Sequence, residues 1–259
     1  MPAPFPVHLW ISLATSLGAG IVAVVLWRRG LAPAYPGFVA YLIAECLLGI
    51  VFGGAELMLD RAIHAIIALG CLPLLWIFYL VLVREIHGKC LARFPGIAKV
   101  GQQVLVYGLV GAIILSVVTV QPDLHAENHD GALGVLYVTA AHRVITGGVT
   151  LFLLLLTVIL TWFPVPTSHN TILHTTFSFF FFLSMTVAHL YRNLSGKMFT
   201  SGVNLGIMAV SAICLAGWGL LLQPKGEVVA ATESTPHEET SWILTQMEAL
   251  NRALLRGVK

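Results

Sequence analysis

Seven stretches of this chain are almost wholly apolar, and the polar residues gather in short clusters between them. A membrane-crossing helix needs roughly 20 apolar residues. By that measure the pattern predicts spans at Leu9–Trp27, Gly37–Leu57, Ile63–Val83, Val104–Val120, Leu133–Trp162, Thr171–Tyr191 and Gly202–Leu222. The fourth is short; the fifth is long enough to tilt or project. The expected fold is all-α, a polytopic membrane protein with a seven-transmembrane helix bundle over residues 1–222. No basic cluster precedes the first apolar run, which therefore reads as a retained helix and not a cleaved signal peptide.

Beyond Leu222 the pattern changes. Residues 223–239 contain Pro224, Gly226, Thr235, Pro236 and several acids, and read as a flexible linker. Residues 240–259 then predict a short cytoplasmic amphipathic helix with Thr240 or Ser241 as its N-cap. Ile243, Met247, Leu250 and Leu254 step by four, three and four, a heptad seam suited to partner contact or dimerisation. The same helix would equally serve as a plain surface helix, or lie on the bilayer with Arg252, Arg256 and Lys259 among anionic headgroups.

Lysine and arginine orient the bundle. With the N-terminus outside, ten of the 14 fall on inner segments: Arg28, Arg29, Arg84, Lys89, Arg93, Lys99, Lys225, Arg252, Arg256 and Lys259. Only Arg61, Arg143, Arg192 and Lys197 fall outside. The loop from Gln121 to Leu133 agrees, with Asp123, Glu127 and Asp130 and no basic residue. The expected location is the inner (plasma) membrane of a bacterium, N-terminus outside and C-terminus cytoplasmic. At 58% hydrophobic and 10% charged the chain leaves no room for a sizeable soluble catalytic domain beside the bundle; soluble domains carry about 25% charged residues. A net charge of +2 gives no reason to expect a nucleic-acid partner.

Small residues mark places where helices can approach closely: Ser12, Ser16 and Gly20 on the first span, Gly202 and Gly206 on the seventh. Pro73 predicts a kink in the third. The four cysteines are scattered without a CxxC pair, which argues against a disulfide framework or zinc knuckle.

Glu45 lies deep in the second apolar run, where an ionised carboxylate facing lipid costs several kcal/mol, so it should face other helices, water or a partner. Tyr41, Glu45, Gly49, Phe52 and Glu56 share one helical face, since steps of three or four return to the same side. Thr139, Arg143, Thr146 and Thr150 make a similar stripe on the fifth span, and His189 shares a face with Arg192 on the sixth. His64 and His142 also fall near outer helix ends. These residues predict an outward-facing polar region. It is either a pocket for a small polar or anionic ligand, or a set of structural ion pairs in which Glu56 or Asp60 meets Arg143 or Arg192.

Two axial histidines on facing helices would hold a haem; His64, His142 and His189 qualify by depth, though no spacing singles out a pair. His125 and His129, with Asp123, Glu127 and Asp130, offer nitrogen and oxygen donors for a divalent metal. The seventh span has no lysine for a retinal Schiff base. Walker A, HExxH and GxSxG sequences are absent, so no enzyme is expected. The leading expectation is a non-catalytic sensor- or receptor-like protein. The alternatives are an accessory subunit of a larger membrane complex, a haem or redox protein, or a solute or proton transporter using Glu45.

Several stretches together carry a resemblance. They are Trp27-Arg28-Arg29 to Tyr35-Pro36-Gly37-Phe38, then Val83-Arg84-Glu85-Ile86-His87 with Arg93-Phe94-Pro95, Arg143, and the run from Met247 to Leu255. In these the chain resembles a group of uncharacterised seven-helix membrane proteins abundant in acidobacterial genomes, which carries no known activity over. In architecture it is also similar to the seven-helix sensory inputs of bacterial histidine kinases and cyclic-dinucleotide enzymes. There a cytoplasmic helix leads from the last span into an effector domain. Here no kinase or cyclase follows that helix, so signalling would depend on a partner.

Overall fold

The computed structural model describes residues 7–58, 61–103, 106–107, 133–162, 167–195, 200–227 and 238–257. All regular structure among them is helical: α1 (Val7–Arg28), α2 (Pro36–Met58), α3 (Arg61–Cys90), a helical stretch at 95–103, α4 (Leu133–Trp162), α5 (His169–Ser195), α6 (Thr200–Leu221) and α7 (Glu238–Gly257). A 3-10 turn, Pro224–Glu227, follows α6 inside the predicted linker.

Six helices, α1 to α6, are long and apolar enough to cross a membrane. Their apolar segments run from 20 to 23 residues, enough for a hydrocarbon core of about 30 Å at roughly 1.5 Å per residue. The predicted fourth span, Val104–Val120, lies outside the described residues except for 106–107. Leu17, Ile21, Leu47, Leu151, Ile213 and Leu220 all point away from the bundle. In water such an apolar exterior would be a large sticky patch; it is what a multi-pass membrane protein presents to lipid.

The six helices form a ring in which each packs on its chain neighbour, α3 packs on α4, and α6 closes on α1; α3 also touches α5 across the middle. Leu26, Phe38, Leu42, Leu82, Phe182 and Trp218 fill the centre. Helices α3 and α4 run parallel, because Trp76 stacks beside His142 while His87 meets Phe152 further along both. One end of the ring gathers Arg28, Arg29, Arg84 and Lys89, and is called the basic end below.

Small residues set the α1–α2 spacing. A Cβ on Gly49 would collide with the Ser16 hydroxyl, and one on Gly20 would stand 2.8 Å from Cys46 Sγ. The Ser16 and Gly20 stripe therefore lies in a close helix contact. A Cβ added at Gly202 or Gly206 would meet nothing within 4 Å among the described residues. Small size permits close approach without compelling it. Pro73 lies inside α3, which is assigned as one continuous helix from Arg61 to Cys90. Gly30, at φ 72°, takes the left-handed conformation that ends α1.

Candidate functional site

Polar side chains collect in two zones of the interior. The first is at the basic end and is built around the start of α5, whose residues 171, 174, 175 and 178 share one face. Ser168, Asn170, Thr171, His174, Thr175 and Ser178 are all buried there. Ser168 caps α5: its Oγ accepts from the Thr171 amide at 3.2 Å and lies 2.8 Å from Thr171 Oγ1. Asn170 donates to the Gln223 carbonyl at 2.7 Å and to Glu227 Oε1 at 2.8 Å, fastening the 3-10 turn to α5.

Neighbouring helix ends are served in the same way. The first amides of α2 have no partners of their own, and Glu85 on α3 supplies them: Gly37 N donates to Oε2 at 2.6 Å and Phe38 N to Oε1 at 3.2 Å. Arg29 donates to the Leu222 carbonyl at 2.6 Å, just past the end of α6. Lys89 lies 3.8 Å from Glu227 Oε2, and its ammonium stands 4.0 Å above the Tyr35 ring. Burial pushes the Tyr35 phenol up from its ordinary pKa, and the Glu227 carboxylate beside it adds to the rise.

The second zone lies further along the bundle, between α2, α3, α4 and α5. His142 accepts a hydrogen bond from Trp76 Nε1 at 3.0 Å, and its ring meets that of His189 edge-on at 5.2 Å. Tyr79 packs against His142 and reaches Met185 Sδ at 4.0 Å. Glu45 is half-buried one turn beyond Tyr41, within electrostatic reach of both the Tyr41 and Tyr79 phenols. Thr150 and Thr186 share a 2.8 Å hydrogen bond between α4 and α5. Thr146 bonds back to the carbonyls of His142 and Arg143. An aromatic layer separates the zones, with Phe38, Tyr41, Phe181 and Trp218 in mutual ring contact.

The structure thus brings His142, His189 and Glu45 into one half of the bundle, with Arg143 partly buried on the same helix as His142. The side chains of Glu56, Arg192, His64 and Thr139 lie outside the described residues, as do Asp60, His125 and His129. The expected pairing of Glu56 with Arg143 therefore lies outside them as well. His142 and His189 touch edge-on, which leaves no slot for a porphyrin between their rings. Among the described residues no three of histidine, cysteine, aspartate and glutamate stand close enough to hold a metal ion.

The C-terminal helix docks on the turn after α3. Arg93 meets Glu248 at 2.9 Å, and the Gly96 amide donates to Asn251 Oδ1 at 2.6 Å. Of the seam residues, Met247 and Leu254 are partly buried and Leu250 is exposed; the Ile243 side chain lies outside the described residues.

Sequence reasoning missed the basic-end zone, with Tyr35, Lys89, Asn170, His174, Trp218 and Glu227. One signal was present: the polar face at 171, 174, 175 and 178 in an otherwise apolar span, a helical repeat with no reason to face lipid. No protein-family model, curated protein or solved structure matches this chain.

Proposed function

We propose that the chain is a non-catalytic, receptor-like membrane module. The zone around His142 and His189 would bind a small polar or anionic ligand, and the basic end with α7 would pass the binding event to a cytoplasmic partner or a second copy. The observation that carries this reading is the convergence of Trp76, His142 and His189 from three different helices at one depth. One of those helices, α5, also holds the turn at Glu227 through Asn170. A shift of α5 at one end would therefore be felt at the other.

The finer topology belongs to the same proposal: seven spans, N-terminus outside, C-terminus cytoplasmic, in a bacterial inner membrane. The lysine and arginine distribution supports it. So does the parallel course of α3 and α4, which calls for one more crossing between them. Reporter fusions after Pro122 and Lys259 test it; an exported signal from Lys259 reverses the topology.

The functional test pairs two measurements on the full chain. A panel of small anions and polar metabolites is screened for thermal shifts against the wild type and against His142→Ala and His189→Ala. Native-membrane co-purification is compared with and without residues 238–259. A ligand shift lost in both histidine variants, with a partner lost on truncation, is the expected result. Identical shifts and an unchanged set of partners would sink the reading. Glu45 favours a second one, proton movement: its neighbours are two phenols inside the ring. Proton flux in proteoliposomes abolished by Glu45→Gln would establish that in place of the receptor.

A further inference from the structure

Five buried polar atoms among the described residues have no hydrogen-bond partner: Tyr35 Oη, both nitrogens of His174, Ser178 Oγ and Trp218 Nε1. They belong to four side chains in one neighbourhood. The His174 ring lies 5.3 Å from that of Tyr35 and 6.0 Å from that of Trp218, and Ser178 is one helical turn along α5 from His174. Buried polar groups are almost always satisfied, so a cluster of exceptions calls for a physical explanation.

The chemistry of the four narrows what would satisfy them. The Trp218 indole only donates; neutral His174 offers one donor and one acceptor; the Tyr35 and Ser178 hydroxyls do either. The guest must donate and accept at short range. It must also be small, because the Phe38 ring is 4.3 Å from the imidazole and Phe177 closes on Trp218. Water meets both conditions, since a buried water needs a polar niche with two to four partners. We propose that Tyr35, His174, Ser178 and Trp218 enclose a hydrated proton-exchange site, where water bridges the four side chains and relays protons between His174 and the basic end.

The approach is polar throughout. Glu227, Thr171 and Ser168 stand nearest the Tyr35 hydroxyl. Lys89 and Glu227 beyond are both partly exposed, at 25% and 28%. A proton from bulk water passes through the Tyr35 hydroxyl and bound water to the bare nitrogen of His174, while each relay group releases the proton it carried. The charges and titratable groups around the imidazole come from every packed element. Lys89 on α3 opposes an added proton, and Glu227 on the 3-10 turn offsets Lys89. Glu85 is held by the Gly37 and Phe38 amides, Arg29 by the Leu222 carbonyl, Cys90 by Thr175, and Cys214 on α6 by the Phe177 carbonyl. Loss of the proton from the opposite nitrogen restores neutrality, so net uptake need not persist. This site is separate from the His142 zone and does not rest on the receptor reading.

Two measurements on the full-length protein in lipid nanodiscs decide the matter. Hydroxyl radicals made from bound water by an X-ray pulse oxidise the side chains that touch it. Trp218 and Tyr35 should label much faster than Phe182, which is as fully buried but packs against the Tyr79 and Phe181 rings. Labelling of Trp218 no faster than Phe182 overturns the hydrated site, and needs no variant that could misfold. The second measurement is nitrogen-15 NMR of labelled histidine, with the His174 signal assigned by His174→Gln. Exchange into heavy water should slow about tenfold in Tyr35→Phe, the rate equivalent of losing one hydrogen-bonded relay group. Exchange unchanged by Tyr35→Phe overturns the proton-relay role.

Discussion

The basic end and the histidine zone are both polar, yet their polar groups answer different needs. At the basic end helices stop, and stopping leaves backbone groups without partners. Glu85, Arg29, Ser168 and Asn170 each supply such a group. In the histidine zone Glu45 and His142 lie inside described helices, and the threonines Thr146, Thr150 and Thr186 bond mainly to their own helices. Polarity at a helix end is explained by architecture; polarity in mid-helix needs another cause, and that is the physical ground for placing function there.

The comparison predicts that changes at the basic end strike stability while those in the histidine zone strike function. The largest effect expected tests its edge. If Arg143 pairs with the Glu56 carboxylate, Arg143→Ala leaves an uncompensated buried charge and should destabilise the bundle by roughly 3–5 kcal/mol. Removing both charges should cost less than removing one. A double-mutant cycle on thermal stability in lipid reads this out, and strict additivity would mean the pair does not exist. Such a pair would also give the histidine zone a structural share of its own.

Glu85→Ala comes next. It strips two amides at the start of α2 of a carboxylate partner, and hydrogen bonds to charged groups contribute about 1.5–3 kcal/mol each. Because the site is partly open, roughly 2–3 kcal/mol in total is expected, with Glu85→Gln recovering part of it. An unchanged melting temperature for Glu85→Ala would break the architectural account of the basic end.

Glu45→Gln keeps shape and removes charge. It should move stability by less than about 1 kcal/mol, within the range of a conservative change at a site with no cap to lose. Ligand response or proton flux should change all the same. A large stability loss with function intact would reverse the assignment of the two zones. The smallest effect belongs to the Arg93–Glu248 contact, both of whose side chains are about half-exposed. Coupling of no more than about 0.2–1 kcal/mol is expected there, falling with added salt.

Much of the fold was legible because lipid is a strict solvent: spans must be apolar over a fixed length, so the helices α1 to α6 could be placed from pattern alone. The Ser16 and Gly20 stripe was legible for a related reason, since close packing in lipid favours small residues. The histidine zone was half legible. Depth along a helix can be counted, which puts His142 and His189 near the same level. Trp76, their hydrogen-bonding neighbour, reads only as one more apolar residue in its run. The basic-end zone was not legible as a zone. Arg29, Lys89 and Glu227 are distant in sequence, and the charges of Arg29 and Lys89 were already accounted for by orientation. What joins Tyr35, His174 and Trp218 is the closing of the ring, which no spacing encodes.

That ring has a mechanical consequence. Because α6 lies against α1, the helices form a hoop with no first or last member. A hoop cut once is still joined all the way round. A chain severed between Trp162 and Thr167 would leave α4 facing α5 across the cut and α1 facing α6 on the other side. The two pieces would share both seams, together with the contact of α3 on α5 and the docking of α7 after α3.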